Sequence, residues 1–209
     1  MITTYIFDLD DTLIPYDPRE ARAYALLREA GADTARMTAT DHSLWPEVAL
    51  GRLPIEEKWY QEALSGGISV DVAKRFVAAM TAFDPAYDDA LPLLQRLAAA
   101  RHTLAVITNG PPGEHQRAKL RRAGLDRFFG DRVFISSEVG AAKPDARIFH
   151  HALHALGARP EQALYVGDKP EHDAAAAAAV GMHGVWIDRS GGTAPPPPGV
   201  RRITTLADL

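Results

Sequence analysis

From Leu104 onward the chain alternates short apolar runs with helix-patterned stretches, and no other feature restricts the fold as strongly. The runs are Leu104-Ala105-Val106-Ile107, Arg132-Val133-Phe134-Ile135, Ala163-Leu164-Tyr165-Val166 and Gly184-Val185-Trp186-Ile187. Each is too short for a buried helix and is bounded by turn-forming residues, the pattern of a strand covered on both faces. Between them, Glu114 to Ala123 stops at Gly124, and the alanine-rich Asp173 to Val180 stops at Gly181. Ala146 to Leu156 places Ile148, Phe149, Ala152, Leu153 and Leu156 on one helical face before Gly157. Such alternation implies a parallel sheet with helices on both sides. The expected class is therefore α/β, with a Rossmann-like parallel sheet core flanked by helices.

The stretch from Ile14 to about Phe83 breaks this rhythm. Arg19–Ala30, Thr38–Leu50, Pro54–Leu64 and Ser69–Phe83 all have helical patterning, punctuated by Gly31, Gly51, Pro54 and Gly66-Gly67. No strand is expected among them. This predicts a helical subdomain over 16–83, inserted into a core formed by 1–15 and 84–209, where the helix Ala86–Ala100 resumes the alternation. Near the C-terminus, Pro195-Pro196-Pro197-Pro198 lies within an expected extended surface loop.

Composition excludes several classes of function. A formal charge of −4 offers no basic surface for a nucleic-acid polymer. The absence of cysteine removes disulfides, thiolate metal sites and cysteine nucleophiles, and accords with a reducing interior. The first apolar run meets Asp8 too early for a signal peptide, and no run approaches the ~20 apolar residues of a membrane span. A cytoplasmic protein with no membrane partner is expected, as a monomer or homodimer.

The chemistry gathers at strand ends. Thr4 to Leu9 reads as a buried strand that delivers Asp8 and Asp10. If extended geometry continues past the strand, both carboxylates point the same way and need a cation. Ligands of open parallel sheets bind beyond the carboxyl ends of the strands. There the chain supplies Thr108-Asn109-Gly110 after Ile107, Lys143-Pro144 beyond Ile135, and Gly167-Asp168 after Val166, with Asp173 five residues on. Taken singly, each has a plain alternative. Asp11-Thr12 and Asn109-Gly110 suit ordinary turns, Lys143 suits solvent, and Asp173 suits the first turn of the alanine helix.

Taken in order, Asp8-Leu9-Asp10-Asp11-Thr12, Thr108-Asn109-Gly110, Lys143-Pro144 and Gly167-Asp168 with Asp173 resemble the four motifs of the haloacid dehalogenase-like hydrolase superfamily. The resemblance covers the whole chain, and the helical insert resembles the family's type 1 cap. It implies Asp8 as a nucleophile forming an aspartyl-phosphate and Asp10 as general acid and base. It also implies Mg²⁺ held by Asp8, the backbone carbonyl of Asp10, and Asp168. Thr108, Asn109 and Lys143 are implied to bind the phosphoryl group, with Asp173 and Thr12 supporting these groups from behind. The implied activity is a Mg²⁺-dependent phosphatase of small phosphomonoesters. The Asp-Asp-Thr-Leu and Thr-Asn-Gly variants are most similar to the nucleotidase and acylneuraminate-phosphate phosphatase branch, pointing to nucleoside or sugar monophosphates.

A phosphomutase, a 2-haloacid dehalogenase and a non-catalytic binding module remain alternatives on the same fold. The second acid, Asp10, favours phosphate over halide chemistry. Elsewhere, His150, His151 and His154 are expected to face solvent, and Trp45, Trp59 and Tyr60 to fill the core of the insert. His115 and Arg52 are surface residues by default, with the pocket as the alternative. Lys169 and Pro111-Pro112 depart from the usual family pattern.

Overall fold

The computed structural model describes residues 1–82, 85–111 and 114–209. Phe83 and residue 84, at the expected boundary of the insert, and Pro112 lie outside them. Six parallel strands form one sheet in the order β3-β2-β1-β4-β5-β6: β1 Thr4–Phe7, β2 Thr103–Thr108, β3 Val133–Ile135, β4 Ala163–Gly167, β5 His183–Ile187 and β6 Arg201–Ile203. The chain leaves β1 toward β2 and β3, then returns to place β4 on the other side. The crevice at this reversal opens beside the ends of β1, β2 and β4, where an open sheet binds its ligands.

Alternate residues of each strand feed two cores. Phe7, Val106 and Val166 pack with α5 (Ala90–Ala99), α6 (Glu114–Arg122) and α7 (Asp126–Phe129) through Leu94, Leu120 and Phe129. Ile6, Ala105 and Tyr165 pack on the other face with α9 (Ala146–Leu156) through Ile148, Phe149 and Ala152. The short α8 (Ser136–Val139) and α10 (Ala176–Ala179) complete the frame. Along α9, His150, His151 and His154 are exposed, as the apolar stripe requires.

Between β1 and α5 stand four helices: α1 Asp17–Glu29, α2 Thr34–Ala49, α3 Ile55–Ser65 and α4 Val70–Met80. They share a core of their own, with Trp59, Phe76, Leu27 and Met37 fully buried and Trp45 and Tyr60 packed against it. A polar network threads this layer. The Lys58 ammonium contacts Glu62 at 2.8 Å and also Asp41, while the Tyr24 hydroxyl donates to Glu62.

Boundaries differ from the sequence reading where side chains act as helix caps. The Asp33 carboxylate accepts from Arg36 N–H, so α2 starts at Thr34 and not at Thr38. The strand read as Thr4–Leu9 ends at Phe7, because Leu9 C=O accepts from the N–H groups of Leu13 and Ile14 and closes a helical turn. The last strand, β6, had no apolar run to announce it, since Arg201 and Arg202 supply two of its three residues. The helix read as starting at Asp173 begins at Pro170, in a wide turn over Pro170–Ala175.

Gly184 of β5 shows how tightly that turn lies on the sheet. A Cβ there would sit 2.1 Å from Ala174 C=O, a backbone atom that cannot swing away. Gly184→Ala is expected to destabilise the fold by about 1–3 kcal/mol, the usual cost of overpacking. The Tm of the variant, read by thermal melting, is expected to fall by several degrees.

Candidate active site

The backbone after β1 separates the two acids of the first motif. Because the chain turns at Leu9, Asp8 and Asp10 do not share one cation as continued extension would require. Asp8, 7 % exposed, receives the Lys143 ammonium at 2.7 Å. Asp10 instead receives Lys119 of α6, with Nζ 2.8 Å from both carboxylate oxygens. Asp11 adopts φ 55°, a left-handed geometry that Asp tolerates, and its carboxylate accepts from Tyr16 N–H at 2.8 Å and Asp17 N–H at 3.0 Å. It thereby starts α1 from within the first motif. Thr12 is fully buried, and its C=O accepts from Arg189 at 2.6 Å.

Lys143 is the hub of the floor. Its ammonium also donates to Asp173 at 2.6 Å and to the Tyr165 hydroxyl at 3.0 Å, and Tyr165 itself donates to Asp173 at 2.9 Å. Burial acts against the charge of Lys143, but Asp173 and Asp8 outweigh it and hold the ammonium firmly protonated. Asn109 clamps the same residue by its backbone. Its side-chain amide donates to Lys143 C=O at 2.9 Å and its Oδ1 accepts from Lys143 N–H at 2.8 Å. Lys143 is therefore buried, not solvated, and Asp173, 1 % exposed, faces Lys143 with one oxygen while the other accepts from Lys169 N–H at 3.0 Å at the start of the turn Pro170–Ala175. The Thr108 hydroxyl accepts from Gln116 of α6 at 2.9 Å.

Asp168 stands apart from these pairs. Carboxylate oxygens of Asp8, Asp168 and Asp173 lie within 4.8 Å of one another. Asp168 Oδ1 is buried with no hydrogen-bond partner among the described residues, and burial, with Asp8 and Asp173 nearby, pushes its carboxyl up to about 9. The Asp8 carboxyl is also pushed up, to about 6, by burial and by Asp173 against the pull of Lys143. An orphaned buried oxygen in a hard-oxygen donor set fits a divalent cation such as Mg²⁺. The side chain of Asp10 lies outside this set and is turned to Lys119.

These groups line one side of a cavity of about 560 Å³. Tyr16, Asp17 and Glu20 of the α1 region, Asp41 and Trp45 of α2, and Lys58 of α3 line the other. Lys169 and His172 join the rim. Arg52 is exposed, paired with Glu47 at 3.2 Å, and not among the lining residues. His115 packs edge-on against Trp59, with ring centroids 5.9 Å apart, at the seam between α6 and the helical layer. Its imidazole is pushed down to about 4 by burial and by Lys119.

Sequence reasoning missed Lys119, Gln116 and Tyr165. Tyr165 carried a signal, since a tyrosine in a fully buried strand needs a partner for its hydroxyl. Gln116 and Lys119 share a helical face with Leu120, a polar intrusion on the buried stripe of α6.

The chain belongs to the haloacid dehalogenase-like hydrolase family, which matches residues 2–181. It is 37 % identical to a phosphoserine phosphatase of Thermus thermophilus over 81 % of this chain and 74 % of that one. It is 33 % identical to a glyceraldehyde 3-phosphate phosphatase of Methanopyrus kandleri over 90 % of this chain and 85 % of that one. Among solved structures, a 2-haloacid dehalogenase from Pseudomonas syringae superposes with a TM-score of 0.69 at 26 % identity, covering 100 % of this chain and 96 % of that one. The chain is thus a hydrolase whose sequence relatives over most of its length are phosphatases of small phosphate esters.

Glu20 gives the site a measurable electrostatic signature. Burial, then Asp17 and Asp41, push its carboxyl from 4.5 up to about 7. The folded protein therefore retains a proton that the unfolded chain releases, and stability falls as pH rises from about 4.5 to about 7, levelling off above. Glu20→Gln is expected to flatten this stretch of the stability–pH curve, read by urea unfolding at pH 5 and pH 8.

Proposed function

We propose that this protein is a Mg²⁺-dependent phosphatase that hydrolyses a small phosphomonoester through an aspartyl-phosphate on Asp8. The observation that carries this reading is the division of labour within the first motif. Asp8 sits in the acid cluster with Lys143, while Asp10 is held on a separate lysine at the cavity wall. A dehalogenase needs a nucleophilic carboxylate but has no leaving oxygen to protonate.

Asp8 attacks phosphorus, and the ester oxygen departs with a proton from Asp10. Asp10 then takes a proton from water as that water attacks the aspartyl-phosphate, releasing phosphate and restoring Asp8. Lys143 and the Thr108–Asn109 turn bind and orient the phosphoryl oxygens, where positioning and electrostatic stabilisation dominate. Asp8, Asp168 and the Asp10 backbone carbonyl would hold Mg²⁺, with Asp173 supporting them by fixing Lys143 and Thr12 by underpinning the turn. The metal, when bound, would neutralise charge on the phosphoryl group.

We read α1–α4 as the cap of this enzyme, spanning 16–83 over a core of 1–15 and 84–209, and the leaving group as seated between Trp45, Glu20 and Lys58. Nucleoside and sugar monophosphates, which suit a cavity of about 560 Å³, are the first substrates to test. No described helix is long and apolar enough to cross a membrane. The net charge of −4 supports a small-molecule substrate over a nucleic-acid polymer.

A panel of phosphomonoesters with Mg²⁺ is expected to release inorganic phosphate. EDTA is expected to abolish release and Mg²⁺ to restore it. Asp8→Asn is expected to lose at least about 10³-fold in kcat, since it removes the nucleophile. Halide release from a 2-haloacid without phosphatase activity would instead establish a dehalogenase, and an isomeric sugar phosphate without free phosphate a mutase.

A further inference from the structure

Two residues of α6 form a device that the activity described above does not yet use. Lys119 is 3 % exposed, yet its ammonium reaches across to the first motif and contacts both oxygens of Asp10 at 2.8 Å. The Tyr16 ring, 5.5 Å away, covers it from the side of the helical layer. One turn earlier on the same face, the buried Gln116 amide donates to three acceptors: Asp10 Oδ2 at 3.3 Å, Thr108 Oγ1 at 2.9 Å and Asn109 C=O at 3.2 Å. Gly110 makes room for this side chain, because a Cβ there would lie 2.9 Å from Gln116 Cγ and Nε2.

The cost of burying a lysine and a glutamine amide argues for a specific role. An unpaired ammonium at this depth is unfavourable, and apolar residues would fill the same face of α6 at lower cost. Lys119 draws Asp10 toward its ionised form, so what it and Gln116 add to proton transfer is geometry and not acidity. A carboxylate offers about four acceptor positions. Lys119 and Gln116 occupy three of those on Asp10, leaving capacity toward the cavity. The same Gln116 amide fixes the turn that carries Thr108 and Asn109. The group that serves the leaving oxygen and the groups that hold the phosphoryl oxygens are thus tied to one helix.

We propose that Lys119 and Gln116 are positioning residues that lock Asp10 in register with the Thr108–Asn109 turn, so that proton delivery to the leaving oxygen depends on α6. The inference rests on the phosphatase reading and assigns these residues to one step of it. An alkyl phosphate expels a poor leaving group and needs that proton, whereas p-nitrophenyl phosphate expels a stable phenolate and does not.

The test compares wild type, Lys119→Met, Lys119→Arg and Gln116→Leu on glycerol phosphate and p-nitrophenyl phosphate with Mg²⁺. General acid–base catalysis is worth about 10²–10⁴-fold, so Lys119→Met is expected to lose at least about 10²-fold in kcat on the alkyl ester. On p-nitrophenyl phosphate the loss is expected to be under about 10-fold, with KM little changed on either ester. Lys119→Arg, which keeps the paired donors, is expected to recover most of the alkyl-ester rate. Gln116→Leu, which removes no charge, is expected to tilt the two rates in the same direction and keeps the test open if Lys119→Met fails to fold. Equal losses on both esters, or full activity on both, would overturn the proposal while leaving the phosphatase reading standing. A wild-type protein inactive on both esters, and on the wider panel, would remove both.

Discussion

One buried ammonium organises the floor of this protein. Lys143 arrives from beyond β3 and meets Asp8 from β1, Asp173 from the turn after β4, and Tyr165 from within β4. None of these carboxylates could be buried so deeply alone, because desolvation would neutralise them or push the chain apart. With Lys143 between them, two acids and a phenol from distant parts of the sequence share one small volume. The Asn109 clamp on the Lys143 backbone extends this to β2. All three strands nearest the reversal of the sheet therefore end on a single residue.

The balance of charge around that cation is incomplete, and the remainder is informative. Lys143 neutralises about one of the three clustered acids, and among the described residues no hydrogen bond reaches the buried Oδ1 of Asp168. Burial, together with the neighbouring acids, pushes Asp8 and Asp168 upward, while Asp10, on its own lysine, is held below the ordinary carboxylate range despite its burial. A site built this way favours an added cation on one side of the first motif and has no need of one on the other.

Much of this was legible in the sequence because parallel sheets concentrate function where apolar runs stop. Asp8, Thr108, Lys143 and Asp168 are each near such a stop, and the structure brings them to one crevice. The helical layer was legible from its punctuation, although Asp33 moved the start of α2 by four residues through a side-chain cap that periodicity does not register. The roles of Lys119 and Gln116 were not legible. Their partners lie more than a hundred residues away in the case of Asp10, and a lysine on a helix carries no local sign of which side it faces. The shared direction expected for Asp8 and Asp10 failed for a related reason: the backbone bonds from Leu13 and Ile14 to Leu9 bend the chain before the second acid.

The tripeptide Asp10-Asp11-Thr12 answers to three different parts of the molecule. Asp10 is bound to α6, Asp11 holds the first N–H groups of α1, and the Thr12 carbonyl is bound to Arg189, which pairs in turn with Asp89 ahead of α5. The opposite wall of the cavity is drawn from α1 to α3, which rest on a core separate from the sheet. Mutation of Asp41, Trp45 or Lys58 can thus redesign that wall without touching the floor, whereas a change in the tripeptide disturbs three neighbourhoods at once. Substrate preference in such a chain is free to drift, while the chemistry beneath it is anchored.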